Sequence, residues 1–252
     1  MDRPAAIITG SAIRLGKAIA VALAKAGYDI ALHYNSSAGP AEETAAQIRE
    51  LGVACKAFQL DLKNAEAFAD FMTRVKAHFP RLSVLVNSAS AYTQATIKDT
   101  TPAVFDAQFS VNIKAPFFMT QAFANVCEKG SVINIIDNKI GFNQFKYAAY
   151  LLAKKTLVEF TKMAAVELAP AIRVNAVAPG VVLPASSRSQ EYIDWRIQGI
   201  PLRMQGETKH ITDGILSLLQ NEFIAGQVLV VDGGEALTTT GRNAGDFDQS
   251  KV

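Results

Sequence analysis

The chain has 252 residues, 50% hydrophobic and 19% charged, with a formal net charge of +2. That composition suits one large α/β domain over residues 1–252 with a substantial core, and so small a net charge, spread over scattered basic residues, argues against a nucleic-acid partner. Cys55 and Cys127 lie far apart with no metal-ligand spacing, so two buried thiols in a reducing compartment, and no metal, are expected. The first ten residues hold too short an apolar run for a signal peptide, and no segment approaches the roughly 20 apolar residues of a membrane span. A soluble, cytoplasmic protein without membrane contact is the expectation.

Short β-rich runs alternate with longer helical patterns. Ala5–Thr9 reads as a buried strand and Leu15–Ala26 as a helix stopped by Gly27. A second strand is expected over Asp29–Tyr34, a helix over Ala41–Leu51, a third strand over Val53–Phe58 and a helix over Ala65–Phe79. Leu82–Asn87 is almost continuously apolar, as a central parallel strand should be. A long helical region over Pro102–Val126 is expected to bend at Pro116. Strands at Ser131–Ile136, Arg173–Ala178 and Gln227–Val231 alternate with helices at Tyr147–Leu168 and Ile211–Leu219. Strand–helix alternation of this kind predicts right-handed βαβ units, hence a single doubly wound Rossmann-type domain with a parallel seven-stranded sheet and helices on both faces. The tail 235–252 is polar and is expected to be disordered.

The turn after the first strand reads Thr9-Gly10-Ser11-Ala12-Ile13-Arg14-Leu15-Gly16. It has two glycines rather than three, but it lies where a phosphate loop belongs, between a buried strand and a helix N-terminus. Gly10, Ser11, Ile13, Arg14 and Leu15 are therefore candidate contacts for a pyrophosphate. An NAD-preferring site places a carboxylate near the end of the second strand for the ribose 2′-hydroxyl. Here that end reads His33-Tyr34-Asn35-Ser36-Ser37, without an acid. With Arg14 in the turn, a 2′-phosphate would be welcomed, so NADPH is the expected cofactor, held there by Arg14, His33, Tyr34, Asn35 and Ser36. Asp61 and Leu62 after the third strand could meet the adenine, and the small residues around Asn87, Ser88 and Ala89 would let a ligand approach the backbone.

Tyr150 and Lys154 stand four apart, on one face of a helix, and Asp137 lies thirteen positions before the tyrosine. An ammonium beneath a phenol is expected to lower its pKa, as a proton donor near neutral pH requires. By itself Tyr-x-x-x-Lys is weak, since any helix can hold it by chance, and Asp137 could equally be a turn cap or a salt-bridge partner of Lys139.

Taken in order along the chain, TGSAIRLG, NSAS, Asn112 in VNIKAPF, Tyr150–Lys154, Pro179-Gly180 and VDGG resemble the motifs of the short-chain dehydrogenase/reductase family, from residue 9 to 234. That resemblance implies an NADPH-dependent oxidoreductase with Asn112, Tyr150 and Lys154 in its catalytic set. It also implies cofactor contacts from Lys154, Pro179, Gly180 and Val182. Most members carry a serine where this chain has Asp137. An ionised carboxylate only accepts hydrogen bonds and would repel a developing oxyanion, so it suits a substrate that presents N–H groups. Together with the TGxxxRLG turn, LHYNSS and Tyr92, Asp137 resembles the pteridine reductase branch. There the implied substrate is a dihydropterin or dihydrofolate, reduced at a C=N bond, with Ser90, Tyr92, Asp137, Tyr150, Leu183 and Trp195 around it. Residues 181–206, which include the sole tryptophan, resemble the family's variable substrate lid, and the resemblance implies a homotetramer. Two other readings stay open: a reductase of small carbonyl compounds in which Asp137 is incidental, and a non-catalytic nucleotide-binding protein on the same fold.

Overall fold

A computed structural model describes residues 3–143, 145–183 and 189–238. Seven parallel strands form one sheet: β1 (Ala5–Ile8), β2 (Asp29–Tyr34), β3 (Cys55–Gln59), β4 (Leu82–Asn87), β5 (Gly130–Ile135), β6 (Ile172–Pro179) and β7 (Val228–Val231). Their spatial order is β3-β2-β1-β4-β5-β6-β7. The chain winds outward from β1 to β3, then returns to lay β4 against the other side of β1. That reversal opens a crevice at the carboxyl ends of β1 and β4, where an open α/β sheet binds ligands.

Strand side chains alternate between two cores. Ala5, Ile7 and Ala31 face Phe68, Phe71, Met72 and Phe123; these belong to α3 (Phe68–His78) and α5 (Ala115–Val126), with α6 (Ala148–Glu167) on the same side. Ala6, Ile8, Ile30 and Leu32 face Ile19, Leu23, Ile48 and Ile215, from α1 (Arg14–Lys25), α2 (Ala38–Arg49) and α8 (Thr208–Gln220). Removing one such leucine or isoleucine from water stabilises the fold by about 1.5–3 kcal/mol, and both faces carry many.

The expected helical region over Pro102–Val126 is helical throughout, but it is built in three pieces rather than as one α-helix. These are α4 (Pro102–Phe109), one π turn over Ser110–Lys114, and α5. Pro116 has no N–H to return to the Asn112 carbonyl, so the ladder widens one step earlier and Ala115 N–H bonds Ser110 O instead. The expected lid contains a helix that sequence patterning did not single out, α7 (Gln190–Ile197), started by Ser189, whose hydroxyl accepts from Tyr192 N–H. Residues 184–188 of the lid and 239–252 of the tail lie outside the described residues. The start of the tail is ordered: Glu235–Leu237 forms a short 3₁₀ turn with Glu235 fully buried. Among the described residues, no helix is long and apolar enough to cross a membrane.

Candidate active site

The β1–α1 turn is shaped by two close approaches. Gly10 has φ +65°, and a Cβ there would stand 2.9 Å from Ala89 Cα; a Cβ on Gly16 would stand 2.2 Å from Gly10 O. The turn therefore lies flat against the end of β4 and leaves a groove of about 470 Å³ over the strand ends. Gly10, Ile13, Arg14 and Leu15 form one wall, and Tyr34, Asn35 and Ser36 from the end of β2 another. Ser88 and Ala89 after β4, Lys154 on α6, and Pro179, Gly180 and Val182 after β6 complete it.

Arg14 adopts φ +54°, the left-handed region that costs a side-chain-bearing residue about 1 kcal/mol or more. Its Nη2 donates to Leu183 O at 2.6 Å, joining the turn to the start of the lid.

Five of the expected cofactor contacts are not among the residues that line the groove. His33 is buried beneath the turn: its Nδ1 accepts from Gly10 N–H at 2.9 Å and its Nε2 pairs with Leu60 O at 3.0 Å. Burial lowers its pKa to about 4, against the raising effect of the Leu60 carbonyl. A neutral ring with both nitrogens engaged shapes the turn; it does not reach a phosphate. Ser11 Oγ donates to Ile8 O and accepts from His33 N–H. Asn87 Nδ2 donates to Asn134 Oδ1 at 2.8 Å, and Asn134 Nδ2 to Thr161 Oγ1 at 2.9 Å, a buried polar ladder from β4 to α6. Asp61 Oδ1 caps Lys63 N–H, and Leu62 packs in the core.

At the other end of the groove stand Asp137, Tyr150 and Lys154. Tyr150 Oη donates to Asp137 Oδ2 at 2.8 Å, while Asp137 Oδ1 accepts from Lys139 N–H at 2.9 Å. The aspartate is thus a turn cap and a tyrosine partner at once. Lys154 Nζ donates to Ile135 O at 2.8 Å and lies 5.8 Å from the centre of the Tyr150 ring.

The expected lowering of the Tyr150 pKa is overturned. Burial, and then the Asp137 carboxylate, raise it well above the ordinary phenol value. Burial pushes Lys154 down to about 8, and the charge of Asp137 only partly opposes this. Tyr150 is held as a neutral phenol with its proton committed to the carboxylate.

Asn112 does not line the groove. From the π turn its Nδ2 donates to Ala91 O at 2.9 Å and its Oδ1 accepts from Ser90 Oγ at 2.9 Å. It holds the loop after β4, which carries Ser90 and Tyr92. Tyr92 stacks on Tyr147 (centroids 4.4 Å, 13°) and stands edge-on to Tyr150 at 4.7 Å. Ser90, Tyr92, Asp137 and Leu183 line a second cavity that opens onto the groove, together with Tyr192 and Arg196. Trp195 does not line it; Tyr192 and Arg196, one turn apart on α7, face the cavity, and the indole lies against Tyr192 at 6.2 Å. Tyr147, Arg196 and Glu235 were not singled out by sequence.

The glycine turn, the cradle that a Cβ would fill, and a β2 end whose groove residues include no acid fit a nicotinamide dinucleotide phosphate. Comparison with known proteins agrees. The family model described as enoyl-(acyl carrier protein) reductase matches residues 10–235. Pteridine reductase 1 of Leishmania tarentolae is 31% identical over 93% of this chain and 97% of its own. A 3-oxoacyl-[acyl-carrier-protein] reductase of Staphylococcus epidermidis is 29% identical over 91% and 97%. The crystal structure of FolM alternative dihydrofolate reductase 1 from Brucella suis, in complex with NADP, superposes with a TM-score of 0.89 at 29% identity, covering 93% of this chain and 96% of that one.

The fold and site define an NADPH-dependent oxidoreductase. The chain belongs to the short-chain dehydrogenase/reductase family.

Proposed function

We propose that the chain is a pteridine reductase, reducing a C=N bond of a dihydropterin or dihydrofolate to the tetrahydro form. The observation that carries this reading is the 2.8 Å bond from Tyr150 Oη to Asp137 Oδ2. A carboxylate there offers only acceptors, which match ring and exocyclic N–H groups and oppose the oxyanion of a ketone. The ring of Tyr92, half exposed beside Tyr150, gives a flat heterocycle a face to stack on. Pteridine reductase 1 and FolM dihydrofolate reductase among the relatives support the same substrate class.

NADPH supplies the hydride. The β1–α1 turn would hold its pyrophosphate, and Arg14, Asn35 and Ser36 would hold its 2′-phosphate. Lys154 is placed to hold the nicotinamide ribose, and its charge offsets that of Asp137. Tyr150 donates its proton to the ring nitrogen next to the reduced carbon, when the N–H groups of the substrate take over its place on Asp137. Asp137 orients Tyr150 and, through a water, can protonate a more distant ring nitrogen. Asn112 keeps Ser90 and Tyr92 in register with the reacting ring. Residues 181–206 act as the substrate lid. The exposed Phe105, Phe117, Leu152 and Met163 on α4, α5 and α6 are the surfaces on which we place the contacts of a homotetramer.

The test is Asp137→Ser. With a pterin as acceptor kcat/KM should fall by about 10²-fold or more, whereas a ketone reductase would be unharmed or improved by gaining a hydroxyl donor. An unimpaired pterin reductase activity in this variant would remove Asp137 from the mechanism.

A further inference from the structure

Three segments distant in sequence meet in one buried polar cluster behind the substrate cavity. Arg196 on α7 and Glu235 after β7 are 3% and 0% exposed, and Arg196 Nη2 stands 2.8 Å from Glu235 Oε1. Glu235 Oε2 accepts from Asn138 Nδ2 at 2.9 Å, and Asn138 also donates to Asp232 Oδ2 at 3.1 Å. The two Asp232 oxygens in turn take Gly234 N–H and Ala236 N–H, which fixes the turn that presents Glu235. Asn138 directly follows Asp137, and Arg196 shares the cavity wall with Tyr192.

A lone buried ion pair is a poor way to stabilise a fold, because desolvation of both charges cancels most of their attraction. This one is also incompletely satisfied: Arg196 Nε and Nη1 have no hydrogen-bond partner among the described residues, and Glu235 Oε1 meets Arg196 as an ion pair without a well-aligned hydrogen bond. Its arrangement makes more sense as a means of setting position. A guanidinium with one carboxylate partner stays buried only while that carboxylate is docked, so α7 is fixed against the strand ends only when the turn after β7 is in place.

We propose that Glu235 is a positioning residue that latches the lid helix through Arg196 and the loop of Asp137 through Asn138. The substrate wall and the acidic partner of Tyr150 are thereby aligned by a single carboxylate on the last turn of the fold. Isolated α7 has only eight residues and one capping serine, too little to hold itself in place without such a tie.

The sole tryptophan adjoins Arg196, so its emission reports on α7 whatever the substrate proves to be. Glu235→Gln keeps the shape and the acceptor for Asn138 but leaves Arg196 an uncompensated buried cation. Expected are a red shift of Trp195 emission, a KM for the acceptor that the wild type turns over raised by about tenfold or more, and NADPH affinity within about twofold of wild type. Adding Arg196→Met removes the stranded charge, so the double variant should be less impaired than Glu235→Gln alone. Wild-type emission and KM in Glu235→Gln, including the case where only the thermal midpoint falls, would overturn the latch. If Glu235→Gln fails to fold, Asn138→Ala decides. It should lower kcat with Trp195 emission unchanged, and an unchanged kcat would overturn the link to Asp137.

Discussion

Tyr150 Oη lies 2.8 Å from Asp137 Oδ2 and points its proton at that carboxylate. Helix α6 carries the first residue and the turn after β5 the second, so the pair forms only when the sheet and α6 are packed. Burial and the carboxylate together raise the Tyr150 pKa well above the ordinary phenol value, so the phenol keeps its proton at neutral pH. The Lys154 charge beneath it does not reverse this. On the proposed mechanism the group is an acid that keeps its proton until a substrate competes for Asp137.

Tyr150→Phe removes that proton and leaves the ring packing against Tyr92. Turnover should fall by about 10²–10⁴-fold, the usual worth of a general acid, while NADPH affinity measured by fluorescence titration stays near wild type. Retained turnover would take Tyr150 out of the donor role.

Arg14→Gly should separate stability from selectivity. Glycine accepts φ +54° without strain, a relief of about 1 kcal/mol, but the change also removes the bond to Leu183 O, of similar worth, so the thermal midpoint should stay near wild type. The same change removes the cation beside the expected 2′-phosphate, so the preference for NADPH over NADH should drop by about tenfold or more. A variant with unchanged preference would place the 2′-phosphate elsewhere.

Gly16→Ala places a Cβ 2.2 Å from Gly10 O. Both partners are backbone, so the turn must move. NADPH binding should be lost or severely weakened, with a destabilisation of about 1–3 kcal/mol typical of overpacking; unchanged NADPH affinity would mean that the turn does not carry the pyrophosphate.

His33 gives the fold an acid-sensitive element. Its folded pKa of about 4 lies below the ordinary 6.5, so between those values the unfolded chain binds a proton that the folded one does not. Stability from this group is complete above pH 6.5 and is lost as pH falls toward 4, up to about 3 kcal/mol in all. His33→Phe should flatten that acid limb in urea titrations and weaken NADPH binding, because Gly10 N–H loses its acceptor. An unchanged acid limb would assign the loss to other groups.

The sheet and the catalytic spacing were legible because their signals are local. Apolar strand runs set the strands, and a four-residue step on a helix puts Tyr150 over Lys154. His33 was misplaced although period-2 alternation held the clue: Ala31 and His33 share a face of β2, and the ring meets Phe71 of α3 edge-on at 5.9 Å. Pro116 does perturb the long helix, but through the carbonyl four residues back, so the π turn falls on Asn112 instead. Tyr147, Arg196 and Glu235 carried no such signal. Glu235 meets Asn138 across 97 positions, and no short pattern announces a contact of that range. The resemblance implies Trp195 beside the substrate, but the residues that α7 contributes to the cavity wall are Tyr192 and Arg196, four apart.

The most direct measurement of the central claim is NADPH oxidation by the purified protein with dihydrobiopterin, dihydrofolate and a set of simple ketones, repeated with NADH. The account predicts turnover of the pterin or folate with NADPH and little with NADH. Turnover of ketones alone would leave the fold and cofactor as described and contradict the role given to Asp137.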